Sequence, residues 1–255
     1  MNIFSAILLG LIEGVTEFLP ISSTGHMILV SDILKLPNTD FLKSFEIAIQ
    51  VGAIFAIIVM YTPRFLKNIR VYQLLLFAFL PATIIGFLFY DFIKTYLFNP
   101  AIVSATLITG GVFLVYFDRK IKNHSEKIEK LEEISSKDAF IIGLSQTLAM
   151  IPGVSRAAAT ITGGVLRGLS KKQAMEFSFL LAVPTMLAAT GYDLIKTSSN
   201  YSTYEFGLLG MGSIVSFVSA WIAVRLFIKI IDKHGLAFFG YYRIILGVVY
   251  LLYFQ

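Results

Sequence analysis

The 255-residue sequence contains no cysteine. It can form no disulfide, carries no thiolate nucleophile and offers no thiolate metal ligand. Charge is also scarce, with Asp, Glu, Lys and Arg at 15% of residues, against about 25% in soluble domains. Histidine occurs three times and tryptophan once. Apolar residues fill the gap: 56% of the chain is hydrophobic, with 23 Phe and 12 Tyr, and the mean hydropathy is +0.78. Such a chain is a polytopic membrane protein. Its net charge of +5 is then no nucleic-acid signal; it reads as Lys and Arg in loops facing the cytoplasm. The first residues, MNIFS, lack a basic region, and no small-residue cleavage site precedes the first polar motif. A cleaved signal peptide is therefore not expected.

The few polar residues are concentrated. Residues 8–29, LLGLIEGVTEFLPISSTGHMIL, hold Glu13, Glu17, Ser22, Ser23, Thr24 and His26 inside an apolar stretch. Glu13 and Glu17 are four apart and share one helical face. Pro20 can end or kink that helix, and ISSTG after it reads as an irregular turn. Ionisable groups inside a membrane are expensive and point to function. A kinked helix whose polar residues merely satisfy one another would accommodate one of these groups, not all six.

The remaining chain divides into apolar spans at 41–61, 71–93, 100–117, 173–192, 206–228 and 237–254. Residues 118–138 are the one long polar segment, expected as a solvated helix or loop in which Glu126–Lys130 and Glu133–Lys137 are favourable pairs. His124 reads as a surface histidine. Arg225 and Arg243 are expected to snorkel to the interface. Glu46 is expected near enough to the interface to be solvated.

Residues 139–166 repeat the opening oddity, with IPGVSRAAAT followed by ITGG. Gly10-Leu11-Ile12-Glu13 matches Gly143-Leu144-Ser145-Gln146, and Pro20-x-x-Ser23 matches Pro152-x-x-Ser155. Glu46 and Glu176 follow at similar distances, and each half continues with three spans. The expected fold is therefore an all-α membrane domain of six spans and two re-entrant hairpins. Its halves, about 1–117 and 139–255, form an inverted repeat joined by 118–138. Basic loops 62–70, 118–138 and 229–236 are placed in the cytoplasm, and both termini outward. Irregular backbone at membrane depth must be buried in protein or line a wet cavity. Two tips entering from opposite faces would meet most economically at one central site.

The second tip supplies Ser155, Arg156 and Thr160. The guanidinium fork fits phosphate oxygens, Gly153 permits close backbone approach, and a helix starting near 155 points N–H groups at an anion. A structural salt bridge from Arg156 to Glu13 or Glu17 is the competing account. The first tip supplies paired carboxylates that suit Mg²⁺ or Ca²⁺, or alternatively a proton relay. Ser22 or Ser23 could attack phosphorus, with His26, one helical turn from Ser23, taking or returning the proton.

At these residues the chain resembles the bacterial undecaprenyl-diphosphate phosphatases of the bacitracin-resistance type, through EGVTEFLPISSTGH (13–26) and PGVSR (152–156). The resemblance implies a multi-pass enzyme of the bacterial inner membrane whose site opens to the outward side. It would convert the C55 prenyl diphosphate to the monophosphate used in peptidoglycan synthesis, with bacitracin resistance as a side effect. It implies a divalent cation on Glu13 and Glu17, and catalytic roles for Glu17, Ser23, His26 and Arg156. Phosphate binding falls to Arg156, Ser155 and Thr160, with Ser22 and Thr24 beside them. Whether Ser23 or His26 attacks phosphorus stays open. The family's usual SRSGAT reads SRAAAT here (155–160), so Ala157 lacks the usual hydroxyl and Ala158 requires no positive φ. A second lipid-phosphatase class with PxSGH and SRxxxxxH motifs is excluded, because position 162 is Thr rather than His. A carrier or flippase for a phosphorylated lipid would use the same anion site but would not require the Ser23/His26 pair. Partners are the prenyl diphosphate and membrane lipids, with no nucleic acid. The glycine pairs at 110–111 and 163–164 suit packing within one subunit or between two copies of a homodimer.

Overall fold

The computed structural model describes residues 1–67, 69–121 and 128–254; His124 and Glu126 lie outside them. The described chain is helical: α1 (Ile3–Thr16), α2 (Ser23–Ile33), α3 (Asp40–Ala48), α4 (Gln50–Lys67), α5 (Ile69–Phe92), α6 (Pro100–Lys120), α7 (Ser136–Thr147), α8 (Arg156–Leu166), α9 (Lys171–Thr197), α10 (Thr203–His234) and α11 (Ala237–Tyr253). Among the described residues, the one β-type contact is an isolated parallel bridge, Ile128 to Leu169.

Polar residues between the apolar runs start these helices. Asn2, Thr39, Asn99, Ser135 and Ser170 each accept a backbone N–H in the first turn, and Ser202 with Glu205 forms a capping box. Pro63, Pro81 and Pro184 sit inside helices, which neighbouring helices in a membrane bundle tolerate. α5 runs into a π-helical turn over Ile93–Leu97.

Among the described residues, five helical segments are long and apolar enough to cross a membrane: Asp40–Pro63, Ile69–Leu97, Pro100–Lys120, Lys171–Asn200 and Thr203–Ile228. The expected sixth, α11, is apolar but has 17 residues. Large apolar side chains on the outer faces, such as Phe87, Leu88, Ile195 and Leu252, are exposed, as a lipid-facing surface requires.

The helix pairing is two-fold in pattern. α1 packs on α10 as α7 packs on α5; α10 packs on α4 as α5 packs on α9; α6 packs on α11. Even the close approaches correspond. A Cβ on Gly10 would collide with the backbone of Gly212, and one on Gly143 with the backbone of Ala78. The helix pairs α1–α2 and α7–α8 thus occupy equivalent places and lead their connecting turns inward.

Several expectations need correction. The segment 118–138 is not simply solvated: Leu131 and Ile134 are buried in the main core, and Asp118 is buried and bridged by Lys171 at 3.0 Å. Glu133 ends a 3₁₀ turn and α7 starts at Ser136, so Glu133 and Lys137 do not share a helix. Apolar residues at 131 and 134 pull this stretch onto the bundle. Arg243 does not snorkel but is fully buried, whereas Arg225 is exposed and stacks over Trp221 at 5.4 Å. Glu46 is buried rather than solvated, accepting from Ser31 Oγ at 2.8 Å. The glycine pairs are consumed inside the subunit: Gly110 and Gly111 face Arg243 and Gly240, and Gly163 and Gly164 face Ser145 and Ala174.

Candidate active site

Glu17 stands at the end of α1, where the helix gives way to the turn before Pro20. Its backbone is still helical and its N–H bonds the Glu13 carbonyl, so the two carboxylates share one face. Ser22 caps α2 with φ of 70° and accepts from Gly25 N–H. Ser155 caps α8 with φ of 77° and accepts from Ala158 N–H. A non-glycine residue in this region is uncommon, and here it occurs twice at matching places. This shows that the expected alignment of the two tips is slipped by one. Ser22, not Ser23, is the counterpart of Ser155, and Ser23 is the counterpart of Arg156. Each of those follows its cap directly and opens its helix.

The tips touch. Gly153, with φ of 93°, donates its N–H to Ser22 Oγ at 3.1 Å, and Ser155 Oγ donates to the Leu19 carbonyl at 3.5 Å. A side chain at 153 would meet Thr106, so glycine is required for both shape and torsion. Across this junction the two helix-opening residues converge on Glu17. Ser23 Oγ donates to Glu17 Oε2. Arg156 Nη2 pairs with Glu17 Oε1 at 2.9 Å. Arg156 Nη1 also donates to the carbonyl and hydroxyl oxygens of Ser178, at 2.7 and 3.2 Å, and the guanidinium lies over the Phe18 ring at 5.5 Å. Its Nε is buried with no partner. Glu13 is fully buried beside Glu17, Ser23 and Arg156, and neither of its oxygens has a hydrogen-bond partner.

Glu17, Ser22, Ser23, Thr24, Ser155 and Arg156 all border one cavity of about 380 Å³. Gln50, at the break between α3 and α4, reaches it too and donates to Thr24 Oγ1 at 3.3 Å. The cavity follows α5 and its π-helical turn from Ala82 to Lys94, about 18 Å at helical rise. Most of that wall is apolar: Phe87, Ile93, Phe98, Met186 and Ala189 contribute to it. At its far end Lys94 Nζ pairs with Asp193 Oδ1 at 2.5 Å and donates to Ser44 Oγ at 2.7 Å. A slot with one polar end and a long apolar flank suits an anionic head on an apolar tail.

Three of the expected site residues do not border the cavity: Glu13 is buried beside Glu17, and His26 and Thr160 lie elsewhere. His26 does not turn to Ser23. Its Nδ1 lies 2.7 Å from the Ser22 carbonyl and must donate there, and its Nε2 faces the Tyr242 hydroxyl at 2.8 Å. The rings of His26 and Tyr242 are stacked. Thr160 does not border the cavity; its hydroxyl donates to Ser178 Oγ at 2.7 Å, behind Arg156. Helical spacing put His26 within reach of Ser23, but helix α2 is turned so that Ser23 faces α1 and His26 faces α11. Sequence reasoning missed Ser178, Gln50, Tyr242 and Arg243. The arginine carried a signal, an ionisable group inside an apolar span; the others had none, because each is an ordinary helix residue until its neighbour is known.

The donor set can be tested for a divalent cation. Among the described residues no cluster of three or more His, Asp, Glu or Cys stands ready to hold a metal. Yet Glu13 presents two unpartnered buried oxygens next to Glu17, and a hard cation with oxygen ligands fits that need.

A family model for bacitracin resistance protein BacA matches residues 6–249. An undecaprenyl-diphosphatase of Aquifex aeolicus (strain VF5) is 46% identical over 258 residues, covering 100% of this chain and 99% of that protein. One from Wolinella succinogenes is 47% identical over 253 residues, covering 99% and 98%. One from Flavobacterium johnsoniae is 46% identical over 255 residues, covering 99% and 96%. The similarity runs through both tips and both halves of the helix pairing, and the chain belongs to the bacitracin resistance protein BacA family.

Proposed function

We propose that the chain is an undecaprenyl-diphosphate phosphatase of the bacterial inner membrane. It releases inorganic phosphate and returns the C55 monophosphate for reuse in peptidoglycan synthesis, with bacitracin resistance as a consequence. The observation that carries this reading is the bridge at Glu17: one oxygen accepts from Ser23 and the other pairs with Arg156, at the wall of a cavity with a long apolar flank. The names of the relatives support it.

In this reading Ser23 is the nucleophile, because its hydroxyl borders the cavity and is already bonded to a carboxylate. As the Ser23 Oγ–phosphorus bond forms, the hydroxyl proton passes to Glu17 Oε2. The bond from the terminal phosphorus to the bridging oxygen breaks, and the departing monophosphate takes that proton. Water then attacks the phosphoserine and gives its proton to Glu17, which returns it to Ser23 Oγ as phosphate leaves. Arg156 offsets the charge of Glu17 at rest and meets the phosphoryl oxygens as their charge grows. His26 holds the Ser22 carbonyl and so the start of α2. Glu13 and Glu17 would hold a divalent cation, Mg²⁺ or Ca²⁺, which when bound supplies positive charge to the diphosphate.

The membrane arrangement is part of the proposal. α11 serves as a sixth span, since about 17 apolar residues are the lower limit. The pairs α1–α2 and α7–α8 enter as re-entrant hairpins from opposite faces, the halves 1–117 and 139–255 being an inverted repeat. The cavity then opens outward, toward the Lys94 end. The experiment is phosphate release from undecaprenyl diphosphate in detergent by wild type, Ser23→Ala and Glu17→Gln. Both variants should lose nearly all turnover while melting like wild type to within a few degrees. Near-normal turnover in Ser23→Ala removes the serine nucleophile. Unchanged metal dependence and turnover in Glu17→Gln remove the carboxylate.

A further inference from the structure

Arg243 is fully buried, and no carboxylate among the described residues pairs with it. Its donors go to backbone carbonyls alone. Nη1 donates to Pro20 at 3.3 Å and Val154 at 3.0 Å. Nη2 donates to Gly153 at 2.7 Å and Thr106 at 3.1 Å. Pro20 belongs to the first tip, Gly153 and Val154 to the second, and Thr106 to α6. One guanidinium therefore ties both tips to each other and to the α6–α11 pair. The path to this place exists because residue 110 is glycine: a Cβ there would overlap the guanidinium. Thr106 adds a second tie, donating its hydroxyl to the Pro152 carbonyl at 2.6 Å.

A buried charge without a counter-ion is costly, and carbonyl dipoles offset only part of that cost. Ordinary fold support would be served by a neutral side chain. What the charge adds is a rigid fork of donors that four carbonyls can share with fixed spacing. Two of the tied residues bracket the site chemistry: Pro20 lies three residues before Ser23, and Val154 two before Arg156. On that basis, and resting on the proposed roles of Ser23, Glu17 and Arg156, we infer that Arg243 is a positioning residue. It sets the separation of the two tips, and through it the geometry in which Ser23 and Arg156 meet on Glu17. Small misplacements of a reacting group are expensive, about 100-fold for an ångström.

The test compares Arg243→Met, Arg243→Lys and Gly110→Ala, measuring kcat, KM and thermal stability in one detergent. At a temperature well below melting, Arg243→Met should lower kcat by about 30- to 100-fold, with KM within about threefold. Arg243→Lys should recover part of the loss, since an ammonium serves fewer carbonyls. Gly110→Ala should lower kcat with Arg243 intact, and the double variant Gly110→Ala/Arg243→Met should be no worse than Arg243→Met. Wild-type kcat in folded Arg243→Met overturns the inference, as do additive effects in the double variant. If Arg243→Met does not fold, wild-type kcat in Arg243→Lys and Gly110→Ala overturns it equally. Collapse of all three assigns Arg243 to the fold alone and also overturns it. Glu17→Gln run alongside separates the two levels: if that variant is active, the site reading falls; if it is dead and the Arg243 series is normal, the positioning role falls alone.

Discussion

The two tips are the same backbone device with different chemistry. Each has a helix of the hairpin, a turn, a serine in the left-handed region capping the next helix, and one residue that opens it. In the first tip that residue is Ser23, and the carboxylates Glu13 and Glu17 stand behind it. In the second it is Arg156, and the residue equivalent to Glu13 is the neutral Gln146. His26 has the counterpart Ala159. In the proposed reaction the first tip thus supplies the acid–base and nucleophilic groups and the second the guanidinium. Neither is complete alone, because Glu17 needs both openers as partners. A duplicated scaffold supplies geometry twice; the unequal side chains turn the meeting point into a site.

Removing the second tip's share should have the largest effect. Arg156→Ala should cost about 2–4 kcal/mol of transition-state stabilisation, typical of one strong catalytic donor, or about 30- to 1,000-fold in kcat. Arg156→Lys keeps the charge but loses the fork shared between Glu17 and Ser178, so it should recover little. Steady-state phosphate release and melting of the same preparations decide the matter. Full activity in Arg156→Lys ends the clamp. Collapse of both variants would return Arg156 to a purely structural salt bridge.

The caps should show a smaller and unequal effect. Ser22 Oγ accepts two buried N–H groups, from Gly25 and Gly153, whereas Ser155 Oγ accepts one, from Ala158. Ser22→Ala should therefore destabilise by about 2 kcal/mol and Ser155→Ala by about 1 kcal/mol. Glycine at either place should be milder than alanine, because both torsions are positive. Thermal melting of the four variants reads this out, and equal losses at the two caps would sink the asymmetry.

The smallest effect concerns which faces the hairpins enter. Single cysteines at Lys130 and Asn200, in a chain with none, should leave activity unchanged. An impermeant thiol reagent on intact cells should label position 200 and spare position 130. The reverse pattern would overturn the outward opening of the cavity, and equal labelling of both positions would mean that α7–α8 crosses the membrane instead of re-entering.

Much of this was legible in one dimension. The lack of charge named the solvent, and prolines 20 and 152 marked the turns. Glu13 and Glu17 met on one face because a helix has 3.6 residues per turn. The order of matched residues was enough to find two related hairpins, though not their register. That register is set by which serine adopts a positive φ, and both Ser22 and Ser23 were eligible until the helix start was seen.

Local rules, acting over a few residues, therefore determined the membrane class, the helices, the two polar turns and the list of groups with chemistry to perform. Tertiary structure decided which of those groups meet. It turned His26 to Tyr242 and Ser23 to Glu17, although the two share a helix turn. It put Ser178 and Thr160 behind Arg156. It buried Arg243, which an interface position would have left wet, because Gly110 on α6 leaves room for its guanidinium beside both tips. The carbonyls that Arg243 holds lie 89 to 223 residues from it, and no propensity or spacing reaches that far. They are fixed by how close two helix backbones can approach, which depends on the packing of the whole bundle.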